Sequence, residues 1–138
     1  MNDNENPIGE VPIQNEGDIV SARKVAREVS QKLGFGVTDV TRIVTAVSEL
    51  ARNIYRFAGT GIMRWSVMNE GIVGIELIFE DKGPGITDIE QAMGLGFTSG
   101  QGLGMGLPGA RRLMDELEIE SRVGVGTTVT VRKWLKRK

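Results

Sequence analysis

Glu49 and Asn53 stand four residues apart in the stretch SELARN, residues 48 to 53. On a helix, at 100° per residue, that spacing sets the two side chains about 40° apart, one turn along the same side. A carboxylate and an amide oxygen aimed the same way can bind Mg²⁺ and position a hydroxyl or a water. The plainer alternative is a solvated glutamate and an asparagine tolerated in mid-helix. A second candidate is Asp81 in EDKGPGI, residues 80 to 86, directly after the most hydrophobic strand pattern in the chain. A carboxylate where the chain leaves a sheet can accept hydrogen bonds from an exocyclic amine such as adenine's. Gly83 and Gly85 would then let a flat ring lie close to the backbone, although Asp-Gly-Pro combinations also make ordinary turns.

The third candidate is GLGMGLPGARRLMDEL, residues 102 to 117, where Gly104, Gly106 and Gly109 fit G-x-G-x-x-G. A dinucleotide-binding fingerprint needs a strand immediately before it inside a βαβ unit. Here GLGFTSGQ precedes it, a loop, and the chain left after it suffices for a hairpin but not for a doubly wound sheet. A Walker A loop fails because no G-K-[ST] is present. What remains is physical: Gly102, Gly104 and Gly106 allow backbone N–H groups to approach an anion. They lead into a helix whose N-terminus carries positive partial charge, with Pro108 suited to its first turn. A phosphate cradle and a mobile linker are the two readings; Gly109 is assigned to close helix packing.

Composition narrows the chemistry. Histidine and cysteine are both absent, which excludes imidazole bases, Ser-His triads, disulfides and thiolate metal sites within these 138 residues. Proton transfer at neutral pH therefore falls to a carboxylate or to solvent. A net charge of −1 provides no field that favours nucleic acid or an anionic membrane. No apolar run reaches membrane-spanning length, and the acidic start MNDNENPIGE is unlike a signal peptide, so a cytoplasmic location is expected.

The elements that must hold these groups follow from periodicity. Asp18 is the expected N-cap of a helix carrying Ile19, Ala22, Val25, Ala26, Val29 and Leu33, stopped by Gly34 and Gly36. Thr38 or Asp39 is the expected cap of a second helix, with Val40, Ile43, Val44, Val47, Leu50, Ala51 and Ile54 as its stripe and an end near Ala58-Gly59. GIMRWSVM and GIVGIELIFE form a hairpin turned at NEG. After the glycine-rich loop comes a helix to about Glu116, then EIESRV and TTVTVRKWL as a hairpin turned at GVG. VPIQNE adds a possible edge strand, residues 1 to 10 are expected to be flexible, and the basic end RKWLKRK is expected to be a solvated tail. The fold class expected is α+β, a two-layer α/β sandwich with a mixed, mostly antiparallel sheet and helices on one face, in a single domain over residues 1 to 138.

In order, E-x-x-x-N on a helix, D-x-G-x-G after a strand, G-x-G-x-G before a helix and Gly126-Thr127 between strands resemble the GHKL (Bergerat) ATPase superfamily, over roughly residues 18 to 135. Absent histidine and dimerisation helices set the chain apart from complete sensor kinases. SELARNIYRFAG, EDKGPGI, GLGMGLPGARRLMDE and the terminal KWL are similar to the anti-sigma-factor-type serine/threonine kinases, the stressosome switch kinases among them. That resemblance implies an ATP-dependent kinase whose substrates are STAS-domain proteins, with a PP2C-type phosphatase or another signalling enzyme as a downstream partner.

By the same resemblance Glu49 is the catalytic base, Asn53 the Mg²⁺ ligand and Asp81 the partner of the adenine amine. Gly83 and Gly85 shape the pocket, Gly102, Gly104 and Gly106 hold the phosphates, and Thr127 supports the adenine end. Residues 87 to 101 form the lid, where Ser99 and Gln101 could touch phosphate; Lys82 and Pro84 fall at variable positions of the motif. The rival reading from a different class is an ATP-gated binding module that sequesters or activates a partner. A bare ATPase is a third.

Overall fold

The computed structural model describes residues 8–88 and 106–135. Helices α1 (Glu16–Leu33) and α2 (Val37–Phe57) form on the two apolar stripes expected for them. α1 stops at Gly34 and α2 at Ala58, as the sequence indicates, but neither start does. The α1 N-cap is Asn15, whose Oδ1 accepts the Asp18 N–H at 3.0 Å. Asp18 sits in the first turn, where its carboxylate accepts the Gln14 N–H at 2.8 Å. Asn15 and Asp18 are both good caps, and the one that can reach forward to a free first-turn N–H takes the role. α2 is capped by Gly36, without a side-chain bond, so Thr38 and Asp39 lie inside the helix.

Five strands make one sheet: β1 (Ile8–Ile13), β2 (Gly61–Asn69), β3 (Val73–Asp81), β4 (Glu116–Arg122) and β5 (Gly126–Trp134), ordered β1-β2-β3-β5-β4. Every ladder among the described residues is antiparallel. The edge strand β1 begins at Ile8, earlier than VPIQNE suggests, because Ile8 to Glu10 pair with Arg64 to Ser66. A short helix, α3 (Gly106–Leu113), ends before the position expected, and the chain enters β4 at Glu116. β4 takes the far edge and β5 returns between it and β3. This crossover sets Thr127 directly opposite Asp81.

Strand alternation gives the sheet two unlike faces. Val11, Ile13, Met63, Ile75, Leu77, Phe79, Val129 and Val131 are buried on one, against Ile43, Val47, Leu50 and Ile54 of α2, Ala22 and Ala26 of α1, and Leu107 and Ala110 of α3. The other face carries charge: Arg132 bonds Glu76, Glu116 and Glu118 across three strands, and Arg64 bonds Glu10 and Glu80. The basic end is therefore not simply a solvated tail. Arg132 to Trp134 belong to β5, and Lys133 is buried, while residues 136–138 lie outside the described residues.

Asn15→Ala is expected to cost ~1 kcal/mol in unfolding free energy, measured by urea denaturation. A smaller loss than for Asp18→Ala would return the cap to Asp18.

Candidate functional site

The buried stripe of α2 turns its next flank toward the end of the sheet where β3 finishes, and that flank carries Glu49 and Asn53. Glu49 keeps a side chain 35% exposed and pairs with the Arg52 guanidinium at 3.3 Å. An exposed pair at i,i+3 is weak, worth a few tenths of a kcal/mol, so Glu49 can change partners at little cost. Asn53 lies deeper. Its Nδ2 is buried with no hydrogen-bond partner among the described residues. Gly106, the first residue of α3, sits so close that a Cβ there would overlap the Asn53 amide. A buried amide without a partner costs on the order of 1–3 kcal/mol. With nothing to fix its rotation, either its oxygen or its nitrogen can serve a ligand.

Asp81 closes β3 on the helix-facing side, half-buried. Its Oδ1 accepts the Gly83 N–H at 2.8 Å, which starts the turn that follows. Burial raises the Asp81 carboxyl above its usual 3.8, against the opposing pull of the Gly83 and Thr127 backbone N–H groups. The loop after it is fastened to the β4–β5 hairpin. Gly124 N–H donates to the Pro84 carbonyl at 2.8 Å, and Ile86 N–H donates to Ser121 Oγ at 2.7 Å. Ser121 Oγ also donates to the Gly126 carbonyl at 3.2 Å and lies 2.8 Å from Thr127 Oγ1. Two glycines make this closeness possible: Gly85 has φ +80 with the Arg122 carbonyl where its Cβ would be, and Gly126 has φ +148 against the Asp81 carbonyl. Gly83 is tight as well, since a Cβ there would fall 2.6 Å from the Ala58 Cβ.

Between these parts lies a cavity of about 330 Å³. Leu50, Ile54, Phe57, Phe79, Leu107 and Val129 make it mostly apolar, and Asn53, Asp81 and Thr127 are its polar groups. A slot of this kind suits a flat, largely apolar ring whose one amine meets the carboxylate.

Of the residues expected to act together, the fold brings Asn53, Asp81, Gly85 and Thr127 to one cavity, with Gly106 against Asn53 and Gly83 at the rim. Glu49 does not line the cavity; it stands one turn along α2 from Asn53. Gly102, Gly104, Ser99, Gln101 and nearly all of the expected lid lie outside the described residues. The assignment of Gly109 to close packing is not upheld, since among the described residues nothing stands within 4 Å of a Cβ built there. Sequence reasoning missed Ser121, the group that ties loop, hairpin and Thr127 together. Its signal was available, as it follows Leu117 and Ile119 in period-two alternation and so is a polar residue on the core face.

Residues 38–137 match the family described as histidine kinase-, DNA gyrase B-, and HSP90-like ATPase. Over 127 residues, 91% of this chain and 96% of the relative, the sequence is 51% identical to the serine/threonine-protein kinase RsbT of Bacillus subtilis. It is 36% identical to the anti-sigma F factor of Clostridium beijerinckii, with 96% of both chains covered. Among solved structures, the RsbU and RsbW domains of a Mycobacterium tuberculosis protein superpose on 96% of this chain with a TM-score of 0.66 at 21% identity. That likeness concerns the fold, and the chain spans 33% of the length of that solved chain.

Because burial raises the Asp81 pKa, ionised Asp81 weighs against the folded state, and its favourable contribution is lost as pH rises through the raised value. Asp81→Asn is accordingly expected to melt at or above the parent temperature at pH 7, with the advantage vanishing in acid. A lower melting temperature at pH 7, in thermal scans without ligand, would contradict this.

Proposed function

The chain belongs to the histidine kinase-, DNA gyrase B- and HSP90-like ATPases, and on that premise we propose that it is an ATP-dependent serine/threonine protein kinase of a partner-switching stress pathway. Its substrates in this reading are STAS-domain proteins, with a PP2C-type phosphatase or a related signalling enzyme downstream. Similarity to a serine/threonine-protein kinase along almost the whole chain supports the activity. The observation that carries the reading is the cavity, lined both by Asp81 and by the Asn53 amide, which lies against Gly106 and has no partner for its Nδ2 among the described residues.

Asp81 accepts a hydrogen bond from the adenine amine, and Thr127 and the 82–86 loop hold the ring in place. Asn53 fits a Mg²⁺ ligand: it has an oxygen to offer, no competing partner among the described residues, and an open approach because Gly106 has no side chain. One amide oxygen is enough for Mg²⁺, an ion that binds one or two protein oxygens and takes the rest from phosphate and water. When bound there, Mg²⁺ would offset the negative charge of the phosphates. Glu49 stands one turn further along α2, outside the cavity, where a serine or threonine hydroxyl would approach. It orients that hydroxyl and takes its proton as the oxygen bonds to the γ-phosphorus and the bond to the β-phosphate oxygen breaks, releasing ADP. Loose phosphoryl transfer leaves the protein chiefly positioning and charge to supply. Gly102, Gly104 and Gly106 complete the phosphate end.

The second reading, an ATP-gated binding module, is favoured by the 36% identity to an anti-sigma F factor. A pure binder has no use for Glu49, which is why the kinase is preferred. We place the protein in the cytoplasm; among the described residues no helix is long and apolar enough to cross a membrane.

Incubation with radiolabelled ATP, Mg²⁺ and STAS-domain proteins should label a serine or threonine. Glu49→Ala should lower that transfer by about 10²-fold or more while leaving ATP affinity nearly unchanged. Equal loss of both would remove Glu49 from its role, and absence of label with ATP binding intact would favour the binding module. Asn53→Ala should weaken only the Mg²⁺-dependent part of ATP affinity. Calorimetry should also show ATP bound in preference to GTP, with affinity falling as pH drops through the raised pKa of Asp81; equal binding of the two nucleotides would overturn the Asp81 assignment.

A further inference from the structure

Lys133 is the one buried charged side chain among the described residues, 5% exposed on the helix-facing side of β5. An ammonium removed from water is costly unless it is fully paired. Its Nζ donates to the Leu113 carbonyl at 3.0 Å and lies 3.5 Å from Asp115 Oδ1 and 3.8 Å from Asp39 Oδ1. Leu113 is the last residue of α3, and Asp39 is in the first turn of α2, where it also pairs with Arg42. One ammonium thus joins β5, the C-terminal end of α3 and the start of α2.

The opposite end of α3 meets the candidate site. Gly106 presses on the Asn53 amide, and Leu107 lines the cavity. Eight residues of helix make a rod about 12 Å long, too short to hold its shape without tertiary support. Leu107 and Ala110, with Met114 just past its last residue, bury one side of it in the core. Just past that end Asp115 is tied to β5, its N–H donating to the Arg132 carbonyl at 2.9 Å and its Oδ2 accepting the Trp134 N–H at 2.8 Å. The Lys133 cation adds the restraint that acts on the helix's own terminal carbonyl, where the dipole is negative.

We propose that Lys133 is a positioning residue for the phosphate end of the nucleotide site: it fixes α3 along its axis and so sets where the first-turn N–H groups and Asn53 meet the phosphates. This rests on the nucleotide site proposed above. Asp81, Thr127 and the 82–86 loop, which hold the base, are fastened independently through Ser121, so removing the ammonium leaves that end in place.

The test compares ADP with adenosine, the same base without phosphates, by calorimetry on the full chain in Mg²⁺. Lys133→Met should weaken ADP binding about tenfold or more, the equivalent of one charge-assisted hydrogen bond, while adenosine stays within about twofold of the parent. Should Lys133→Met fail to fold, the same titrations on Lys133→Gln, which keeps a donor for the Leu113 carbonyl, should show a smaller loss confined to ADP. Equal loss for both ligands, or no change in either, would overturn the inference and leave Lys133 a purely structural group. A parent protein that binds neither ligand would overturn the site itself, whereas a parent that binds both and keeps its ADP-to-adenosine ratio in the variants would sink the Lys133 role alone.

Discussion

The register of β5 on β3 is the constraint on which the rest of this molecule depends. Asp81 and Thr127 face each other at the last rung of that ladder, and past it both chains turn away at glycines too close for a side chain. Gly126 lies on the Asp81 carbonyl, and Gly85 lies on Arg122 in the adjoining strand. A slip of β5 by one residue would send Thr127 to the charged face of the sheet while Asp81 stayed on the helix-facing one. The hydrophobic rungs below, Phe79 against Val129 and Leu77 against Val131, prevent that slip because it would expose Val129 and Val131. Core packing and site geometry are therefore two consequences of one pairing.

Against this fixed end of the sheet the helices are held unequally. α2 is long and buries a continuous stripe, so the direction in which Asn53 points follows from the helix period once the stripe is seated. α3 has two turns and few hydrogen bonds of its own. It is kept in place by the core burial of Leu107 and Ala110 and by contacts at its ends, Gly106 on Asn53 and the Leu113 carbonyl on Lys133. The polar groups of the site are correspondingly under-satisfied where a ligand would come: Asn53 Nδ2 lacks a partner among the described residues, and Asp81 has its pKa raised by burial. Both features are tolerated because the apolar framework around them is well packed, a pattern common to binding sites.

Much of this was legible in the residues. Glu49 and Asn53 share a flank because helical spacing leaves no alternative, and Asp81 ends its strand because the apolar run ends there. The two hairpins were readable from alternation and glycine-bearing turns. Errors arose where two local signals competed or where local signals are silent. Asn15 and Asp18 are equivalent caps by type, and only the direction of the incoming chain selects Asn15. RKWLKRK has the composition of a solvated tail, yet β-pairing with β3 and β4 draws Arg132 to Trp134 into the sheet and buries Lys133. Gly109 completed a motif but meets no described neighbour.

By itself the sequence determined the elements, the face each one buries and the residue types available for chemistry, since these rest on period, capping preference and composition. Only the tertiary structure decided that Asp81 and Thr127 stand across one ladder, that Asn53 packs beneath Gly106, and that Lys133 reaches the end of α3. Each of those unites residues far apart in the chain. Their contact depends on strand order and crossover, which no local pattern encodes.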